Sequence, residues 1–107
     1  MNMERTPLFL MANLGSEVSR LLSFRERGDS AEVEKSYQRS ERILDQLVAF
    51  SEMESRRPEM TILKDVIKDF SVSHKKQTVR SEDLQNYFTP FATRLFSTRN
   101  KPSGPLV

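Results

Sequence analysis

The chain has 107 residues and a formal net charge of +2 at pH 7, from 17 Lys and Arg against 15 Asp and Glu. It has no Cys, no Trp, three Gly and one His, which excludes disulfides, thiolate metal sites and cysteine catalysis. Charged residues make up 30% and hydrophobic residues 36% of a mixed-sign sequence, as in one soluble domain and unlike the one-signed field of a dedicated nucleic-acid binder. No apolar run is long enough to span a membrane. The apolar N-terminal stretch is broken by Asn13 and carries an amphipathic pattern onward, so it reads as part of the fold and not as a secretory signal. The expected location is the cytoplasm.

Thr6-Pro7 opens the first helix, with a hydroxyl at the N-cap and proline at the first helical position. Leu8, Met11, Leu14, Val18, Leu21 and Leu22 follow at three- and four-residue spacing, one stripe at 100° per residue. Gly15 lies on that stripe, where a missing side chain lets another helix approach. Gly28, after the basic turn Arg25-Glu26-Arg27, is the stop signal, so helix one covers 7–27. Asp29 with Glu32 three residues later restarts a helix in capping-box spacing. Its stripe is Val33, Tyr37, Leu44, Leu47 and Val48, and it is expected to run to residue 53. Polar residues lead to Pro58, which suits a first turn, and helix three is expected over 58–73 with Leu63, Val66, Ile67 and Phe70 on its stripe. A polar loop follows. Ser81 with Glu82 and Asp83 opens helix four, striped by Leu84, Tyr87, Phe88, Phe91 and Leu95, with a kink or break expected at Pro90.

Four amphipathic segments with short connections and no strict alternation predict an all-α protein, an antiparallel up-down-up-down four-helix bundle. Residues 1–100 are expected to form the bundle, and 101–107 a flexible C-terminal tail rich in Pro, Gly and Ser.

The residues that could carry chemistry are few. His74, the single His, could serve as a base, but beside Lys75 and Lys76 it reads better as a cation at a helix end. HEPN nucleases, which are also four-helix proteins, place an Arg four to six residues before their catalytic His. Here Ile67, Lys68, Asp69 and Phe70 stand in that region, and the Arg is absent. No Glu-x-x-His pair suggests a bundle metal centre, no glycine-rich loop suggests a phosphate site, and no nucleophile elbow is present. Ser36 and Ser40 fall on the inner face of helix two. They read as small residues bonded to the backbone one turn earlier, in preference to a polar pocket. The expectation is a non-enzymatic protein with no metal and no cofactor.

Two surface features remain. Arg56, Arg57, Arg94 and Arg99 gather at the end expected to hold the termini, a candidate nucleic-acid contact with a small excess of positive charge. Phe9, Phe24 and Phe96 project off the apolar stripes, and exposed Phe is typical of an association surface. The leading expectation is a helical-bundle interaction protein, self-associating or bound to another protein through those phenylalanines. The alternatives are a nucleic-acid-associated bundle and, further off, a HEPN-like ribonuclease that lacks the usual motif.

Overall fold

A computed structural model describes residues 6–72 and 79–99, with the backbone alone at 92 and 94–99. It contains four α-helices and no strand among the described residues: α1 (Pro7–Glu26), α2 (Ser30–Val48), α3 (Arg57–Phe70) and α4 (Ser81–Arg99). A short 3-10 helix, Ser51–Arg56, joins α2 to α3. The helices pack as a bundle around one apolar core.

The boundaries follow from local chemistry. Thr6 Oγ1 accepts a hydrogen bond from the Phe9 amide at 3.1 Å, and Pro7 occupies the first helical position. At the other end of α1, Gly28 takes φ +74°, a left-handed conformation that side chains rarely adopt. Its amide donates to the Arg25 carbonyl at 3.1 Å, and the Asp29 amide donates to the Phe24 carbonyl at 3.0 Å. This pair of bonds is the Schellman motif, which satisfies carbonyls that the helix leaves open. Asp29 then caps α2, its Oδ1 accepting from the Glu32 amide at 3.2 Å.

Two expected ends differ from the structure. Helix α2 stops at Val48 and not near 53, because Phe50 turns to an extended backbone at φ −78° and ψ 133°. The 3-10 turn that follows buries Met53, only 3% exposed, and Arg57 Nη2 donates back to the Val48 carbonyl at 3.1 Å. A continuous α-helix would follow a different path and would not place both groups there. Helix α3 stops at Phe70, where the Ser71 hydroxyl donates to the Lys68 carbonyl at 2.6 Å and competes for a helical acceptor. Helix α4 is one helix from Ser81 to Arg99 with Pro90 inside it, so the chain does not break there. The proline ring is exposed, and Pro90 has no amide to offer the carbonyl one turn earlier.

Helix α1 is the hub. It packs against α2, α4 and α3, and accordingly buries a wide arc: Leu10, Met11, Leu14, Val18, Leu21 and Leu22. A single stripe underestimates that arc, which is why Leu10 is buried although off-pattern, while Leu8 is only half-buried. Gly15 faces Phe88 of α4 so closely that an added Cβ would lie 2.8 Å from Phe88 Cβ.

Between α1 and α2 runs a polar seam. Glu17, 9% exposed, accepts from Arg39 Nε at 2.9 Å and from Arg20 Nη1 at 2.7 Å. Ser36 and Ser40 are fully buried. The Ser40 hydroxyl donates to the Ser36 carbonyl one turn earlier at 2.9 Å, while Ser36 Oγ accepts from Arg39 Nη2 at 3.3 Å. These serines belong to helix packing, and Ser36 also supports the Arg39–Glu17 ion pair.

Candidate functional site

The core of α3 is Met60, Leu63, Val66, Ile67 and Phe70, the positions that three- and four-residue spacing directs inward. Ile62 lies off that stripe and is 65% exposed, the most exposed large hydrophobic residue among those described. It stands beside a groove of about 510 Å³ between α3 and α4, whose floor includes Pro58, Leu63 and Val66 from α3 and Leu84 and Tyr87 from α4. Val79 and Asp83 complete the α4 side. The groove exists because α3 leans on α2 and α4 leans on α1, leaving these two helices less closely packed with each other.

A polar triad closes one end. Arg56 holds both oxygens of Glu59, with Nε to Oε1 at 3.0 Å and Nη2 to Oε2 at 2.8 Å, a bidentate geometry that fixes both side chains. The Tyr87 hydroxyl donates to Glu59 Oε2, tying α4 to the start of α3, and Arg56 Nη2 reaches the same hydroxyl at 3.5 Å. The Arg56 guanidinium also lies 5.5 Å from the centre of the Phe91 ring. Tyr87 meets Phe88 edge to face, at 5.0 Å between centroids.

The triad shifts its own titrations. Hydrogen bonds from Arg56 hold the Glu59 carboxyl below its ordinary value against an opposing effect of burial, with a further contribution from Tyr87. Burial raises the Tyr87 phenol well above its ordinary value, and donation to the Glu59 carboxylate adds to the rise. The bond with Glu59 raises Arg56 in turn. A carboxylate locked to a guanidinium and a phenol locked to a carboxylate are poor candidates for proton transfer. The arrangement fixes the geometry of the groove wall.

The residues singled out from the sequence are dispersed. Phe9 and Phe24 are half-buried and pack against the core, and the Arg27 guanidinium lies 4.9 Å from the Phe24 ring centre. Arg56 points inward to the triad, and exposed Arg57 is bonded to the Val48 carbonyl. The side chains of Phe96, Arg94 and Arg99 lie outside the described residues, as do His74 and the tail 101–107. Ile62 was the residue sequence reasoning missed. Its signal is present in the sequence, as an isoleucine off the apolar stripe of a strongly amphipathic helix.

Among the described residues no group of three or more His, Asp or Glu could hold a metal ion, and no helix is long and apolar enough to cross a membrane. No protein-family model matches the chain, and no curated protein or solved structure matches it significantly.

Proposed function

We propose that this is a non-enzymatic helical interaction protein that presents the α3–α4 face to another protein. The observation that carries the reading is Ile62, 65% exposed beside an apolar groove, where a solitary bundle would place a polar residue. The rigid Arg56–Glu59–Tyr87 triad supports it, because a preformed wall lowers the ordering cost of binding. Self-association through Phe9, Phe24 and Phe96 draws less support, since Phe9 and Phe24 pack on their own core. Nucleic-acid binding also draws less support, since Arg56 is engaged internally.

An up-down-up-down order belongs to the same proposal. It is supported by the ion pairs Arg39–Glu17 and Lys64–Glu41, by the Tyr87–Glu59 bond, and by Phe88 over Gly15.

The test compares tagged wild type with Ile62→Glu in extracts of the cells that make the protein, with light scattering on the purified chains. The expected result is a discrete protein retained by wild type and lost in the variant. A wild type that is monomeric and retains nothing that Ile62→Glu releases would overturn the reading.

A further inference from the structure

We infer that the α3–α4 groove receives an amphipathic α-helix whose apolar stripe is flanked by Lys or Arg. The inference rests on the reading of that face as the binding surface. Shape gives the first argument. From Pro58 to Val66 the groove follows α3 for about 12 Å at the helical rise per residue, enough for anchors at i, i+4 and i+7 of a docked helix. Ile62 stands beside it and adds an apolar bank, so the surface is an open trough that suits side chains presented in a row.

Charge gives the second. Among the described residues, the charged ones that line the groove are acids, Glu59 from α3 and Asp83 from α4. Glu59 is held by Arg56 and Tyr87 and stays a wall. Asp83 is different: its bond to Arg80 Nε at 3.3 Å joins side chains that are 51% and 69% exposed. Exposed pairs of this kind contribute little, so Asp83 can turn to an incoming cation at small cost. Glu82 shares the same Arg80 at 3.2 Å, which leaves one acid in excess among the described residues at the start of α4. The lysines of α3 do not offset it there, because Lys64 pairs with Glu41 of α2 and Lys68 lies about 120° around the helix from Ile62.

The same charges argue against a second copy on this face. A two-fold pairing there would bring two copies of that acidic excess onto one interface, an unfavourable like-charge contact.

The experiment titrates the full chain with two labelled synthetic peptides of about fourteen residues that share leucine anchors on one helical face. One carries Lys beside the stripe and the other carries Glu. The Lys peptide is expected to bind at least about tenfold more tightly, with an affinity that falls as salt is raised. Asp83→Asn should narrow the preference, and Ile62→Glu should weaken the binding of the Lys peptide at least tenfold while the circular-dichroism melt stays in place. Equal binding of both peptides, or Lys-peptide binding that survives Ile62→Glu, would overturn the inference. A dimer in light scattering that Ile62→Glu dissolves would overturn it in favour of a second copy. If Ile62→Glu loses a natural partner yet the Lys peptide shows no advantage, this inference fails and the broader function stands; if neither effect is seen, both fail.

Discussion

Phe88 of α4 sits directly over Gly15 of α1, and a methyl group at residue 15 would fall 2.8 Å from Phe88 Cβ and 3.0 Å from its Cγ. Those atoms are the root of the side chain and cannot swing aside without moving the backbone of α4. Replacing glycine by alanine within a helix ordinarily stabilises by roughly 0.5–1 kcal/mol. Overpacking of a tight contact costs about 1–3 kcal/mol, so the steric effect should win. Gly15→Ala is expected to lower the midpoint of urea unfolding, and the bulkier Gly15→Val should lower it further. A Gly15→Ala protein more stable than wild type would show that the two helices are not in this register.

Gly28 shows the opposite mechanism at the other end of α1. Nothing lies within 4 Å of a Cβ added there, so space is not the constraint. Its φ of +74° is, since a side chain in the left-handed region is strained. Gly28→Ala is expected to cost about 1–2 kcal/mol in denaturant unfolding, and Gly28→Asn less, because Asn tolerates that conformation.

The two glycines mark what the sequence made legible. Gly28 announces itself locally, after a basic turn and before a capping Asp, and the structure places the α1–α2 turn there. Thr6, Asp29 and Pro58 are equally local, and helix starts were read more closely than helix ends. The end of α2 depends on where Met53 and Arg57 find partners, and no pattern within α2 encodes that. The groove was hidden for the same reason. It is a space between helices from different parts of the chain, and its wall joins Glu59 to Tyr87 across 28 residues of sequence. Phe9 and Phe24 pack on the core although off the stripe, because a helix that packs on three neighbours buries a broader arc than one stripe describes.

The seam between α1 and α2 carries a testable coupling. Glu17 has a side chain only 11% exposed and bonds Arg39 across the interface and Arg20 on its own helix. Removing the carboxylate takes from Arg39 its ion-pair partner across the seam. Glu17→Ala is expected to destabilise by about 1–3 kcal/mol, and a double-mutant cycle with Arg39→Ala should show coupling above about 0.5 kcal/mol. Additive effects in that cycle would mean that the pair does not fix the register of α1 on α2.

The triad beside the groove should be visible in its titration. The folded state holds Glu59 below its ordinary value, so its contribution is present above the carboxylate range of the unfolded chain and is lost as pH falls through the lower folded value. Tyr87 works in the other direction. Its folded value lies above the ordinary value of 10.0, so its contribution is full below that pH and is lost as pH rises toward the folded value. Tyr37 is also raised, by burial first and by Glu41 second, so both tyrosines should ionise late in an ultraviolet titration of the folded protein. Glu59→Gln removes the carboxylate that Tyr87 donates to. It should bring one of the two phenol transitions to lower pH, leave the other in place, and flatten the loss of stability on acidification. A titration unchanged by Glu59→Gln would place Tyr87 away from that carboxylate.

Phe24 and Ile62 should divide stability and binding between them. Phe24 is half-buried against the core, so Phe24→Ala is expected to cost about 1–3 kcal/mol of stability, less than for a fully buried ring, and to leave peptide binding at the groove intact. Ile62 makes few burial contacts at 65% exposure, so Ile62→Glu should change stability by no more than about 0.5 kcal/mol while abolishing binding. Thermal melts and peptide titrations on the two single variants separate the effects, because each variant should move one readout and spare the other. Should Phe24→Ala leave the melt unchanged and instead alter association, the apolar surface that matters would lie at the start of the α1–α2 turn and not between α3 and α4.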